Sequence, residues 1–262
     1  MDQAQTYVER VPLPALAGRV RAVWVQRTGS HPNVQRNLPT GGVELQCSIR
    51  AVPPDAPDEI TANLTVVAEP RHPLRVAVFG ASLRGTGATS SLLDGLVGAS
   101  GTRADTRLRH GLAVRDLKQS FGGALNPGAH VTTNRSEFFA QPLAAAATAA
   151  LLDELTAGPG GRRELNFTAM GGAYNRVAAD TTAFVHRGER FLLEHVADEG
   201  PQWVDRSWAI AHPHGSGRVY PNFPDPQLED WAAAYHGGNL PRLAAAKQRY
   251  DPDRSFHFPQ AN

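Results

Sequence analysis

A short run near the C-terminus, YPNF, holds the side chains best suited to chemistry. Pro221 disfavours the helical conformation for Tyr220, so the run is predicted to be extended. Alternation along an extended segment places Tyr220 and Asn222 on one side and Phe223 on the other. A phenol and a carboxamide on one face can contact a polar planar ligand, and a phenol can take or give a proton. The alternative is that Tyr220 packs structurally, with its hydroxyl hydrogen-bonded.

Other motifs predict less chemistry. The glycine-rich stretch FGASLRGTGATS lacks the Lys-Ser/Thr of a phosphate-binding loop and the glycine spacing of a dinucleotide fingerprint, which favours an ordinary strand-to-helix turn. The ten histidines show no metal-ligand spacing and there is one cysteine, so no metal site is predicted. Cys47 lies in the strand-like run VELQCSIR and is predicted to be an inert core thiol.

The elements that must position these residues are pairs of strands separated by single helices. Strand-like runs are VRAVWVQR, GGVELQCSI, EITANLTVVAE, LRVAVFGAS, ELNFTAMGG, and the stretch from TTAFVHR to ERFLLEHV. Helix-like runs are TGATSSLLDGLVGAS, FFAQPLAAAATAALLDELTAGPGG, DPQLEDWAAAYHG and LPRLAAAKQRY. The break PRHP predicts a hairpin or a meander. This order predicts an α+β fold, with a mostly antiparallel sheet flanked by helices on one face.

The C-terminal run resembles the terminal segment of the berberine-bridge-enzyme-like oxidases, flavoproteins of the vanillyl-alcohol-oxidase superfamily. That segment has a Tyr-x-Asn-Tyr element, a Trp-bearing helix, a Tyr-Tyr-Gly-x-Asn turn, Arg-Leu, Lys and Tyr-Asp-Pro, then Phe and Gln. The matching residues, in the same order, are Tyr220, Asn222, Trp231, Tyr235, Gly237, Asn239, Arg242, Leu243, Lys247, Tyr250, Asp251, Pro252, Phe256 and Gln260. Upstream, GGAYNRVAADTTAFVHR and RSEFFAQPL resemble two further stretches of the family, so the resemblance covers about residues 55–262.

The resemblance implies that residues 53–217 form a substrate-binding α+β domain and residues 218–262 the berberine-bridge-like C-terminal segment, which together cover a flavin ring. It implies FAD as the cofactor and hydride transfer from a hydroxyl or amine carbon of a small molecule to the flavin. Tyr220 would be the catalytic base, and Tyr220, Asn222 and Asn239 would bind the cofactor. Phe223 and His236 stand where the family has tyrosines, which changes the local hydrogen bonding.

The N-terminal residues, 1–52, resemble a different family. YVERVPLPALAGRVRAVWVQR and RNLPTGGVELQCSI are similar to the opening of the ligand-sensing domain of AraC-type transcription regulators. No helix-turn-helix follows, so DNA binding is not implied. The flavin-binding domain of the oxidases has no counterpart in this sequence, and an oxidase is therefore expected to need FAD held noncovalently or a flavin-binding domain supplied by another chain. The proline-rich run AVPPDAPDE predicts a junction of the two parts near Pro53.

The composition of the chain limits the classes of binding partner that we expect. The formal net charge of +1 draws the chain neither to nucleic acid nor to an anionic membrane. The sequence shows neither a signal peptide nor an apolar run long enough to cross a bilayer, so we expect no membrane partner and a cytoplasmic location. Two functions stay open. One is an FAD-linked oxidoreductase of small molecules, and the other is a truncated, non-catalytic metabolite-binding protein with the substrate-domain fold.

Overall fold

One mixed sheet dominates the computed structural model, which describes residues 8–9, 22–27, 60–100, 105–110, 132–157, 160–257 and 260. Within these residues the sheet has eight strands in the order β1-β5-β2-β4-β3-β7-β8-β6. They are β1 (Val8–Glu9), β2 (Ala22–Arg27), β3 (Ile60–Ala68), β4 (Arg75–Ser82), β5 (Asp105–His110), β6 (Thr133–Phe139), β7 (Arg163–Ala169) and β8 (Phe191–Ala197). β1 is parallel to β5, and all other described pairs are antiparallel, which confirms the predicted sheet.

The break PRHP forms the predicted hairpin between β3 and β4. Val66 lies opposite Val76 in this antiparallel pair. The turn is closed by the amide of His72, which donates to the carbonyl of Glu69 at 3.1 Å, and Arg71 has φ of 64°. Proline at the start of the break cannot donate to a sheet ladder, so the strand ends there.

Five helices lie in the described ranges: α1 (Thr86–Ser100), α2 (Ala145–Ala157), α3 (Pro201–Ala211), α4 (Trp231–His236) and α5 (Leu240–Tyr250). Short 3₁₀ turns cover Gly172–Arg176, His212–His214 and Gly237–Asn239. The sequence predicted α1, α2, α4 and α5. As expected, α4 stops at a glycine, because Gly237 takes φ of 48°. None of these helices is long and apolar enough to span a bilayer.

Sequence reasoning missed helix α3, although its signals were present. Pro201 occupies the first turn, where a missing N–H costs nothing, and Gly200 before it takes φ of 77°. The buried side chains of α3 are Trp203, Val204, Ser207 and Ala211, which recur at helical spacing. Charged residues between them hid this apolar stripe.

The core lies between one face of the sheet and helices α2 and α3. Val66, Leu165 and Leu193, from three neighbouring strands, are fully buried in one cluster with Leu155 of α2 and Val204 of α3. Helix α1 packs on the same face, because its Leu93 clusters with Ala62 of β3, which shares the side of Val66, and with Leu108 of β5. The predicted α+β architecture with helices on one face is therefore confirmed.

The glycine-rich stretch between β4 and α1 forms a self-contained strand-to-helix turn. The Ser82 hydroxyl accepts hydrogen bonds from the Arg84 amide and the Thr89 hydroxyl, both at 3.0 Å. The Thr89 amide and hydroxyl both donate to the Gly85 carbonyl at 3.1 Å. The hydroxyls of Ser82 and Thr89 thus serve the strand-to-helix turn itself.

Of the remaining strand predictions, one is wrong and one falls outside the described residues. TTAFVHR was predicted to be a strand, and this is wrong, because residues 181–187 form bends and irregular backbone and only Phe191–Ala197 is a strand. GGVELQCSI, with Cys47, and the junction near Pro53 lie outside the described residues. Strand β2, from the N-terminal fifth of the chain, pairs with β4 and β5 in the common sheet. The predicted domain boundaries stay a prediction.

Candidate functional site

Tyr220 and Asn222 meet in a tight turn. The Phe223 amide donates to the Tyr220 carbonyl at 2.9 Å, with Pro221 at the second turn position, where its fixed φ is favourable. The prediction of an extended segment is therefore wrong, because the same proline that excludes helix also initiates a turn. The prediction that the two side chains share one side is confirmed, since Asn222 Nδ2 donates to the Tyr220 hydroxyl oxygen at 2.8 Å. The prediction that Phe223 lies on the other side is wrong, because the turn brings its ring to a centroid distance of 5.2 Å from the Tyr220 ring.

The ring of Tyr220 packs on three aromatic residues, while its hydroxyl lies beside an exposed side chain. Edge-to-face contacts join it to Phe138, Phe184 and Phe223, with centroid distances of 6.3, 6.0 and 5.2 Å. Tyr220 is half-buried and Asn222 is exposed. Because the amide donates to the phenol oxygen, the phenol O–H can be donated to a ligand. Packing and ligand contact, the two alternatives from the sequence, are thus compatible.

A row of polar side chains crosses four neighbouring strands, and sequence reasoning missed it. Glu194 Oε1 accepts from Asn134 Nδ2 at 3.0 Å, and its Oε2 accepts from Asn166 Nδ2 at 3.4 Å. Thr65 Oγ1 in turn donates to Asn166 Oδ1 at 2.7 Å. Burial raises the pKa of the Glu194 carboxyl above its ordinary value, against the two amide hydrogen bonds, which lower it.

The polar row and Tyr220 share the sheet face opposite the core. In β8, Leu193 points to the core helices, so Glu194 points away from them. Register places Ser136 opposite Glu194 and Phe138 opposite Leu192, so the Phe138 ring lies on the side of Glu194. Tyr220 contacts that ring and therefore borders this face at the β6 end of the sheet. A sequence signal for the row is present in β8, where Glu194 interrupts the otherwise apolar start of the run FLLEHVA.

The Ser136 hydroxyl is a polar group on this face without a described partner. Ser136 is 2% exposed, and no residue in the part of the chain that the structure describes forms a hydrogen bond with its Oγ. A buried hydroxyl without a partner costs free energy, so it favours a ligand or an ordered water at this place. Its position opposite Glu194 joins it to the polar row.

Asn239, predicted to bind the cofactor, forms side-chain hydrogen bonds with residues other than Tyr220 and Asn222. It is 7% exposed, and its Nδ2 donates to the carbonyls of Ala179 at 2.8 Å and Thr182 at 3.1 Å. Both amide hydrogens therefore fix the loop before Phe184. A groove of about 200 Å³ runs beside it and is lined by Thr182, Ala183, Asn239, Arg242, Leu243 and Ala246.

Comparison with known proteins supports the family suggested by the C-terminal residues. Residues 219–261 match the family model described as berberine and berberine like. The uncharacterized FAD-linked oxidoreductase YvdP of Bacillus subtilis (strain 168) is 36% identical over 103 residues, which are 36% of this chain and 23% of the relative.

Solved structures show the same fold over nearly the whole chain. BBE-like 1 from Physcomitrella patens has a TM-score of 0.74 at 18% identity, over 93% of this chain and 54% of its own. A berberine bridge enzyme variant in complex with (S)-reticuline has a TM-score of 0.73 at 19% identity, over 96% of this chain and 55% of its own. The chain thus spans about half the length of these structures and less of the curated relative.

The comparisons do not support the AraC-type resemblance of residues 1–52. The family match contains helix α4 and ends next to Gln260, and the fold shared with the solved structures continues upstream of this match. YvdP and a second curated relative, YgaK of Bacillus subtilis (strain 168), both carry the name uncharacterized FAD-linked oxidoreductase. These findings support the chain as a relative of the berberine-bridge-enzyme-like, FAD-linked oxidoreductases, with its C-terminal segment matching the berberine and berberine like family model.

Proposed function

We propose that this chain is the substrate side of a berberine-bridge-like, FAD-linked oxidoreductase. In this proposal a small molecule loses a hydride from a hydroxyl- or amine-bearing carbon, and FAD, when bound, accepts that hydride. The observation that carries the proposal is the Tyr220–Asn222 pair. It is joined at 2.8 Å, borders the sheet face opposite the core and lies in the segment that matches the family.

The residues present fit the polar edge of a flavin ring. Tyr220 and Asn222 offer a hydroxyl and a carboxamide at an exposed turn, and the buried Ser136 hydroxyl on the same face has no described partner. The proposal places the flavin-binding domain outside residues 1–262, since the relatives are FAD-linked by name and this chain matches only part of their length. With such a domain, the aromatic cluster under Tyr220 would exclude water from one side of the reacting carbon.

Side chains on the sheet face opposite the core would carry out the proton transfers. Tyr220, in its phenolate form, would take the substrate hydroxyl proton and become the phenol, and Asn222 would stabilise the phenolate oxygen through the hydrogen bond that it donates. Glu194, held by Asn134 and Asn166, is placed to hold a proton or to anchor a substrate hydroxyl or amine. Asn239 would act on the site indirectly, because its amide fixes residues 179–182.

The proposed organisation has three parts. Residues 53–217 would carry the polar row and the core, and residues 218–262 would carry Tyr220 and the hydrogen bonds that hold its turn. Of residues 1–52, strands β1 and β2 lie toward the far edge of the sheet, where β1 pairs with β5 and β2 pairs with β4. A small-molecule substrate and a flavin-binding chain would be the partners.

FAD titration and a comparison of two tyrosine variants test the proposal. The purified chain is titrated with FAD to about 100 μM, a range that covers weak binding, and flavin fluorescence is measured. Tyr220→Phe should leave binding nearly unchanged but slow the bleaching of flavin absorbance by a panel of sugars and aromatic alcohols. Tyr250→Phe is the control, because Tyr250 is 77% exposed on α5. Absence of saturable FAD binding would show that the chain does not hold flavin by itself. Equal bleaching by wild type and Tyr220→Phe, measured with a supplied flavin-binding domain, would reject Tyr220 as the base and with it the proposal.

A binding protein without redox chemistry is the second candidate. The groove of about 200 Å³ beside α5 favours it, because Tyr220 does not line that groove. Its apolar floor of Ala183, Leu243 and Ala246 and the guanidinium of Arg242 would suit a small anionic metabolite. Metabolite binding that Leu243→Arg abolishes, together with no flavin binding, would support this alternative.

A further inference from the structure

A buried carboxylate lies on the other side of β6 from Tyr220. Glu137 is 1% exposed and faces the core helices, since its register partner is Leu193. Its Oε2 lies 2.8 Å from His212 Nδ1, just after α3. Its Oε1 accepts the Gly217 amide at 3.1 Å. A carboxylate in the core is costly unless its oxygens are hydrogen-bonded, and here both oxygens bind residues 212–217.

The segment after these contacts runs along the edge of the sheet. The Ser216 amide donates to the Phe138 carbonyl at 2.9 Å, and the Phe138 amide donates to the Arg218 carbonyl at 2.8 Å. Residues 216–218 therefore extend the ladder of β6, and Tyr220 follows two residues later. The Val219 amide then donates to Ala234 of α4 at 3.1 Å.

The carboxylate and this segment are in close contact at a glycine. A Cβ added at Gly215 would lie 2.1 Å from Glu137 Oε1 and 2.3 Å from its Cδ. Glycine is therefore required for the chain to pass over the carboxylate. His212 covers the outer side of Glu137 and stacks on Trp208, with a centroid distance of 4.0 Å.

We propose that Glu137 is a positioning residue for Tyr220. It binds Gly217 and His212 on the core side of the edge strand, and Phe138 supports the Tyr220 ring on the opposite side. The segment thus wraps the sheet edge, and its start is fixed by Glu137. The catalytic meaning of this position depends on the proposed function, whereas the positioning itself does not.

The position of Tyr220 is measured directly by fluorine NMR. The chain has five tyrosines, so labelling with 3-fluorotyrosine gives few signals, and Tyr220→Phe assigns the signal of interest. Gly215→Ala pushes the carboxylate away, and Glu137→Asp keeps the charge but shortens the side chain by one methylene. Glu137→Gln can still accept from Gly217 and contact His212. Gly95→Ala, whose added Cβ meets nothing within 4 Å, is the control.

Gly215→Ala and Glu137→Asp should shift or broaden the Tyr220 signal, and Glu137→Gln and Gly95→Ala should leave it as in the wild type. Hydrogen exchange at the Gly217 amide should be about ten- to a hundredfold faster in Glu137→Asp, the effect of losing a hydrogen bond to a charged group. If Gly215→Ala does not fold, Glu137→Asp carries the test.

An unmoved Tyr220 signal in folded Glu137→Asp would overturn the inference, whatever the flavin results. A Tyr220 signal that moves equally in Glu137→Gln would also overturn it, because the hydrogen bonds would then not be the cause. If the signal moves as expected but Tyr220→Phe does not slow flavin bleaching, the positioning stands and the proposed function fails.

Discussion

The buried imidazole of His195 should make the protein acid-sensitive. His195 is 0% exposed on the core side of β8, and its Nδ1 lies 2.8 Å from the Ser207 hydroxyl of α3. Its Nε2 has no hydrogen-bond partner within the described ranges. Burial, with a smaller contribution from the charge of Arg135, lowers the pKa of His195 to about 3, from an ordinary value of 6.5. The folded protein therefore holds the neutral ring, and the unfolded chain binds a proton below about pH 6.5.

The sign and size of the effect follow from linkage. Because the folded pKa is below the unfolded one, stability falls as the pH drops below the unfolded value, by about 1.4 kcal/mol per pH unit down to about pH 3. Between pH 7.5 and 5.0 the loss due to His195 is about 2 kcal/mol. Burial raises the pKa of the Glu137 and Glu194 carboxyls. Their protonation on acidification therefore adds stability, which is opposite in sign to the effect of His195. That contribution is common to wild type and variant and cancels in their difference.

The assay is urea unfolding of wild type and His195→Asn at pH 7.5 and pH 5.0. Asparagine keeps a donor for Ser207 but does not titrate, so the variant should lose about 2 kcal/mol less on acidification. His214→Asn, at an exposed histidine, should lose as much as the wild type. Equal losses for wild type and His195→Asn, within the roughly 10–15% uncertainty of extrapolation, would refute the buried neutral imidazole.

Two further predictions concern the core and the C-terminal segment. Leu165→Ala, at a residue that is 0% exposed, should lower the free energy of unfolding by about 2–5 kcal/mol. Leu83→Ala, at a residue that is 45% exposed, should change it by less than about 0.5 kcal/mol in the same urea titration. Tyr235→Phe removes the hydroxyl that accepts the Asp225 amide at 2.8 Å and should cost about 1–3 kcal/mol, because that buried amide loses its partner. A loss for Tyr235→Phe no larger than that of Leu83→Ala would contradict this hydrogen bond.

Local signals predicted most of the elements. The Ala- and Leu-rich run gave α2, the break PRHP gave the β3–β4 hairpin, and Gly237 ended α4. Each of these depends on propensity or on turn chemistry within a few residues. Helix α3 was missed because charged residues interrupt its narrow apolar stripe, and YPNF was predicted to be extended because proline favours both extended chain and turns.

The sequence alone determined most of the elements, the family resemblance of the C-terminal segment and the shared side of Tyr220 and Asn222. Only the tertiary structure decided that Glu194 meets Asn134, 60 residues away, and that Glu137 meets Gly217, 80 residues away. The physical reason is that these contacts depend on which strands are neighbours and in what register. A polar residue in an apolar strand looks the same locally whether it pairs across a sheet, fixes an edge segment or faces solvent.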